Sequence, residues 1–222
     1  MFQIRLKMKN ISKDDISKME KVKRLNLINS CTGYKSANLI ATKSINGIEN
    51  LAVFSSITHL GSNPAMLGFI VRPTTVPRDT YKNIKESGFF TVNHITSEII
   101  ADAHHTSANY GSEISEFDKT NLEPEYKTDI DFPFVKNAPV QLLCKYLNEY
   151  YISENDTIHV IATIENVFYN ENIEHKDGWL QLDKANVVAI NGLDGYCLPK
   201  LIDRFEYARI DVETKSFEKL VK

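Results

Sequence analysis

The stretch from Asn50 to Ile95 reads NLAVFSSITHLGSNPAMLGFIVRPTTVPRDTYKNIKESGFFTVNHI. It holds two apolar runs, a Ser/Thr cluster, an Asn-Pro, an Arg-Pro-Thr-Thr, a short helix pattern and a third apolar run. Leu51–Thr58 reads as a strand, and Ala65–Val71 as a strand buried on both faces. Arg72-Pro73 ends the second run. Asp79 can cap a short helix that Gly88 stops, with Tyr81 and Ile84 facing inward. Phe89–Ile95 is a further strand, with Phe90 and Val92 on one face and Thr91 and Asn93 on the other. Apolar strands punctuated by small hydroxyl and amide residues suit a backbone that comes close to a flat, polar ligand.

Outward from this stretch the pattern stays mostly β. Towards the N-terminus, Ser12 with an acid three residues later is close to a capping box for a short surface helix over 12–20. Residues 24–32 fit strand or helix, and Gly33 breaks that element. Ser36–Lys43 is a strand, and Asn46-Gly47 is the strongest hairpin signal in the chain. Towards the C-terminus, residues 97–108 read as a helix with Ser97 at its N-cap. Residues 109–138 are polar, contain Pro124 and Pro133, and read as a long loop or lid with little core. Residues 139–150 and 157–169 both alternate with period 2, as strands with one wet face do. A polar excursion over 170–183, a short strand at 187–190 and an irregular tail over 192–211 complete the chain. Long alternating strands without regular strand–helix alternation favour an antiparallel barrel over a doubly wound parallel sheet.

The whole composition narrows the function classes. The chain has 222 residues, 42% of them hydrophobic, enough for one substantial core. With 26 basic and 29 acidic residues the net charge is −3, which points to neither nucleic acid nor a membrane surface. No apolar run approaches the roughly 20 residues of a membrane span, and the first ten residues lack a signal-peptide core. Cys31, Cys144 and Cys197 are far apart and form no CxxC, so neither a metal site nor a disulfide framework is expected. The expectation is a cytoplasmic protein with one domain over residues 1–222.

Four blocks in order carry a resemblance: Asn50-Leu51-Ala52 with Phe54-Ser55-Ser56, then Ser62-Asn63-Pro64, then Thr80 with Asn83-Ile84, then Phe90, Val92 and Asn93. Their order and spacing are similar to the flavin reductase-like family, whose members share an FMN-binding split barrel. Gly195-Tyr196 and Tyr207-Ala208 resemble the tail of one branch, so the likeness covers roughly residues 25–210. Pro64-Ala65 departs from the Pro-Pro of many members and alters backbone stiffness more than chemistry. The resemblance implies a mainly β, six- to seven-stranded antiparallel split barrel of Greek-key type with short helices. It also implies a homodimer with FMN at the interface, NADH or NADPH as electron donor, and a small-molecule or protein electron acceptor.

FMN presents a phosphate, a polyhydroxyl chain and a flat ring with hydrogen-bonding edges, so a binding protein supplies cations or free N–H groups, short polar groups and an apolar bed. The start of the 79–87 helix offers free N–H groups and a positive dipole end. Thr80 adds a hydroxyl, and Arg72 or Arg78 a charge-assisted bond. Asp79 beside a phosphate is repulsive and is expected to point away. Ser55, Ser56, Ile57 and Thr58 sit at a strand end where main-chain N–H groups can approach the ring. The resemblance places the ring's pyrimidine end there, with Asn63 and Pro64 contacting the same cofactor. Asn83 and Asn93 can bond ribityl or phosphate oxygens, although a buried, satisfied amide explains Asn93 equally well. Hydride transfer to a flavin needs no side-chain acid or nucleophile, so no catalytic residue is assigned. The alternative is a flavin-binding module without turnover. A serine hydrolase reading lacks the G-x-S-x-G elbow.

Overall fold

Alternation alone decides which side chains of the central strands meet. A computed structural model describes residues 7–217. Ser12 and Asp15 form the reciprocal capping box, Asp15 N donating to Ser12 Oγ at 3.1 Å and Ser12 N to Asp15 Oδ2 at 2.9 Å. They open α1 (Lys13–Lys18), and the ambiguous stretch after it is a helix, α2 (Lys21–Cys31). Then come β1 (Lys35–Ser36), β2 (Asn38–Lys43), β3 (Glu49–Phe54), β4 (Thr58–Ser62) and β5 (Ala65–Val71). Next are α3 (Asp79–Ser87), β6 (Phe89–His94), α4 (Ile100–His105), β7 (Pro124–Lys127) and β8 (Ile130–Val135). The long β9 (Val140–Ile152) and β10 (Thr157–Tyr169) are followed by the short β11 (Ala189–Asn191) and β12 (Gly195–Cys197).

The main sheet has seven strands in the order β3-β2-β6-β9-β10-β5-β4, every pair antiparallel. The single strand expected over 51–58 is two, because the chain leaves β2 after Phe54 and joins β5 from Thr58. Its two edge strands are therefore consecutive in sequence. Four residue steps span at most about 14 Å, so the sheet must curl until its edges nearly meet at this crossover. Among the described residues no ladder joins β3 to β4, and the barrel stays split there.

Inside the curl lie Ile40, Phe69, Phe90, Val92, Cys144 and Val160, with Ile84 of α3 buried among them. Phe69 makes edge-on contacts with Phe54 at 5.4 Å and Phe90 at 5.5 Å between ring centroids, the preferred geometry of aromatic pairs. A second cluster covers the outer face of β2, where Leu39 and Ala41 meet Phe117, Leu122, Val135 and Ile190. This corrects the reading of 109–138 as a lid with little core. The segment carries the β7–β8 hairpin and buries Phe117, Leu122, Phe134 and Val135. Pro133 and Pro124 lie in these strands and not in a loop, which a two-stranded edge hairpin tolerates.

Helix boundaries shift for local reasons. Asp79 is the first residue of α3, not its cap, and Arg78 precedes it without a side-chain cap bond. Gly88 ends α3 at φ 77°, a left-handed conformation that glycine adopts without penalty. The expected helix over 97–108 is a 3₁₀ turn, Ser97–Ile99, running into the short α4, with Thr96 at the cap position.

Gly68 is fixed by close approach. A Cβ there would stand 2.5 Å from His159 Nε2 and 3.1 Å from the Val160 carbonyl oxygen. Gly68→Ala is expected to cost about 1–3 kcal/mol in urea unfolding, as overpacking does. Adding His159→Ala should recover part of that loss and not all of it, because the carbonyl contact remains.

Candidate functional site

The crossover is half-buried backbone that lies outside both ladders it connects. The N–H groups of Ser55, Ser56 and Ile57 find no backbone or side-chain acceptor among the described residues. Interior strands satisfy such groups by pairing, and here the pairing partner has been left behind on one side and not yet met on the other. Side chains hold the segment in place. Ser56 Oγ accepts from Ile70 N at 3.0 Å and reaches Ile70 O at 3.4 Å. Ser36 Oγ donates to Ile57 O at 3.0 Å. Ser56 is thus a clamp to β5, while Ser55 makes no recorded side-chain bond and Thr58 is exposed opposite Gly68. Asn63 and Pro64 form the exposed two-residue turn between β4 and β5, where Ser62 pairs with Ala65.

The clamp also brings the end of β5 beside the crossover, and β5 runs directly into Arg72, which is exposed. Arg78 is half-buried and its Nε donates to Pro73 O at 3.4 Å, bracing the connection to α3. Lys82 N is the first α3 amide to pair, with Arg78 O at 2.9 Å. The N–H groups of Asp79, Thr80 and Tyr81 have no acceptor within the described residues. An uncapped helix start with two arginines before it is suited to an anion. Asp79 lines a small polar cleft with Asn50, Lys82, Asn83 and Glu116.

Three residues expected at the ligand take part in buried hydrogen-bond networks. Thr80 and Asn83 turn inward, and Thr42 Oγ1 accepts from Asn83 Nδ2 at 3.1 Å and Asn50 Nδ2 at 3.2 Å. Asn50 Nδ2 also donates to Thr80 Oγ1 at 2.9 Å. Asn93 is fully buried; its Nδ2 donates to Leu39 O at 3.3 Å and Thr91 Oγ1 at 3.0 Å, and its Oδ1 accepts from Val135 N at 3.0 Å. An amide bonded at both ends in the interior ties β2, β6 and β8 together.

Sequence reading missed a different pair. Asn38 of β2 stands opposite His94 of β6 and beside Phe54 of β3, on the inner face. Asn38 Nδ2 and His94 Nδ1 are both buried without a partner among the described residues. The signal was present: Asn38 shares its face with Ile40 and Thr42, as His94 does with Phe90 and Val92. Burial pushes the His94 imidazole down to about 4, so it is neutral at pH 7. Glu116 was also missed. Its carboxylate accepts from Leu51 N at 2.8 Å, pinning the 110–119 segment to β3. Burial raises its pKa, against the opposing pull of that N–H. His104 and His105 are exposed and each meets a tyrosine, His104 with Tyr196 and His105 with Tyr110. Trp179 lies under the Arg204 guanidinium at 4.1 Å, which anchors its loop.

The strand order, curled so that one short crossover joins both edges, defines a split-barrel protein. The model of the flavin reductase like domain matches residues 35–187. A protein from Shewanella frigidimarina NCIMB 400, assigned as a flavin reductase with split barrel domain, is 40% identical with a TM-score of 0.87, covering 90% of this chain and 100% of that one. Nitrilotriacetate monooxygenase component B from Bacillus cereus shares the fold at 20% identity, TM-score 0.77, over 91% of this chain and 100% of that chain. So does the flavoredoxin of Desulfovibrio vulgaris (Miyazaki F), at 20% identity and TM-score 0.65, over 80% and 91%. An uncharacterized Aquifex aeolicus (strain VF5) protein is 30% identical over 142 residues, 60% of this chain and 71% of its own length. The chain belongs to the flavin reductase-like family. Among the described residues no helix is long and apolar enough to cross a membrane.

His94 gives the site region a pH signature. Its folded pKa of about 4 lies below the unfolded value of roughly 6.5. The stability it protects is therefore complete above that unfolded value and is lost as pH falls through the folded one. Between pH 7 and pH 4 the parent should lose about 3 kcal/mol more than His94→Gln, read by urea unfolding at each pH.

Proposed function

We propose that the chain binds FMN noncovalently between two copies of itself and acts as an FMN-dependent oxidoreductase. The activity is that of an NAD(P)H:flavin reductase or a flavoredoxin-like electron carrier. The observation that carries this reading is the run of unpaired N–H groups at Ser55, Ser56 and Ile57. Three donors in a row, with a free hydroxyl at Ser55 and another at Thr58, fit the acceptor-rich edge of an isoalloxazine. The exposed Arg72, the half-buried Arg78 and the uncapped start of α3 suit the phosphate. Asn63 and Pro64 are exposed and free to meet the same ligand.

Family membership supports flavin chemistry, and the exposed apolar side chains support a second copy. Leu147, Tyr150 and Tyr151 of β9, Val167 and Tyr169 of β10, and Leu60 of β4 are all exposed. FMN held at the crossover would supply two-electron redox chemistry, with NADH or NADPH as donor and a small molecule or protein as acceptor. The protein's share is to hold and orient. The crossover fixes one edge of the ring, Ser56 keeps the crossover against β5, and Phe54 with the inner aromatic cluster keeps water from the barrel side. No side chain is required to move a proton, so none is given a catalytic role.

The test begins with a visible spectrum of purified protein and titration with FMN and riboflavin. FMN uptake with a flavin band is expected. Arg72→Ala should weaken FMN by about tenfold, the worth of one charge-assisted phosphate bond, and leave riboflavin unchanged. Colourless protein that takes up no FMN would sink the reading. Anaerobic mixing of the FMN form with NADH and NADPH then separates an enzyme, whose flavin bleaches, from a binding module, whose flavin does not.

A further inference from the structure

Residues 204–217 form a finger and not a loose tail. Phe217 N donates to Arg204 O at 2.7 Å and Glu206 N to Lys215 O at 3.1 Å, pairing the two legs at the base. Arg204 pins that base to the body. Its Nη2 donates to Asp177 Oδ2 at 2.8 Å, and its guanidinium lies over Trp179 at 4.1 Å and Phe217 at 4.8 Å. A base fixed this way presents its tip in one direction. That tip is apolar and bare: Tyr207 and Ile210 are each 91% exposed, and Val212 is exposed as well. It is also acidic, with Glu206, Asp211 and Glu213 against Arg209 over residues 205–213.

The same chain carries a surface of opposite character. α1 and α2 bury no residue, and α2 exposes Val22, Leu25 and Ile28. Between α2 and the turn joining β11 to β12 runs a groove of about 780 Å³, walled by Ile11, Val22, Leu27 and Leu193 with Lys9 and Lys23 along it. Residues 7–31 hold six lysines and one arginine against three carboxylates. Pocket volumes of this order take a few side chains.

We propose that the finger tip of one copy seats in the α2 groove of a second copy, and that the second copy returns the contact through the same two-fold axis. The occupant is a second copy because finger and groove are complementary in both charge and apolarity and lie on one chain, which is what an isologous pair requires. The finger does not fill its own groove, since Tyr207 and Ile210 stand in solvent. The exchange stabilises the pair from outside the barrel and holds the two copies in register. It rests on the two-copy reading given above.

Sedimentation equilibrium of the full chain tests it, with FMN titration run in parallel. The parent should dimerise. Tyr207→Ser/Ile210→Ser alters only exposed side chains and should raise the dimer dissociation constant by about tenfold or more, as loss of interface anchors does. Val22→Glu in the groove wall should do the same, and circular dichroism melting should show both variants folded. Unchanged association in the finger variant overturns the exchange and leaves the two-copy reading standing. Unchanged association in Val22→Glu alone overturns the groove as the seat. A parent that is monomeric at every concentration overturns both, and the titration reports separately whether flavin is bound.

Discussion

One short crossover governs this molecule. Phe54 closes the pairing of β3 with β2, Thr58 opens the pairing of β4 with β5, and three residues bridge the gap. The two edges of a seven-stranded sheet cannot lie far apart when so little chain connects them. The curl of the sheet, its enclosed apolar cluster and the plugging of that cluster by Ile84 of α3 all follow. So does the proposed site, because the residues that leave one strand before reaching the next are those whose N–H groups find no acceptor among the described residues. Fold and site are here two descriptions of the same stretch of backbone.

Buried polar side chains have a division of labour that charge and burial explain. Thr42, Asn50, Thr80 and Asn83 satisfy one another beneath α3, and Thr91, Asn93 and Gln141 join the main sheet to the β7–β8 hairpin. Buried amides and hydroxyls left unbonded cost stability, so such groups close into networks. Asn38 and His94 depart from that rule by leaving one nitrogen each unpartnered. Arginines follow a different logic. Arg204 is consumed by Asp177, Trp179 and Phe217, whereas Arg72 is exposed and has no partner among the described residues.

Much of the fold was legible because it depends on periodicity. The alternation in β6, β9 and β10, the Asn46-Gly47 hairpin, the Ser12–Asp15 cap and the glycine stop at Gly88 are all local signals, and each appears where it was read. The family blocks were legible too, although their residues divide between the open crossover and turn and the buried networks. Sequence spacing cannot distinguish these, since Thr80 and Asn83 would sit on one helix face in either case. Direction toward Thr42 depends on how α3 lies across β2, which is tertiary. The 109–138 segment misled for a related reason. Its composition is polar, and its few apolar residues, Phe117, Leu122, Phe134 and Val135, reveal their burial only when β2 presents a second apolar face to receive them.

That second face has a further consequence. Ile40 belongs to the cluster inside the curl, while its neighbours Leu39 and Ala41 belong to the cluster outside. β2 is thus a party wall shared by two cores, with β3 on one side and β6 on the other. Neither core can open to water without stripping one face of that strand, so the two halves of the molecule are coupled through six residues. In hydrogen exchange the amides of β2 are expected in the slowest class, exchanging only through global opening. The strand that carries none of the proposed chemistry is the one that makes the molecule unfold as a unit.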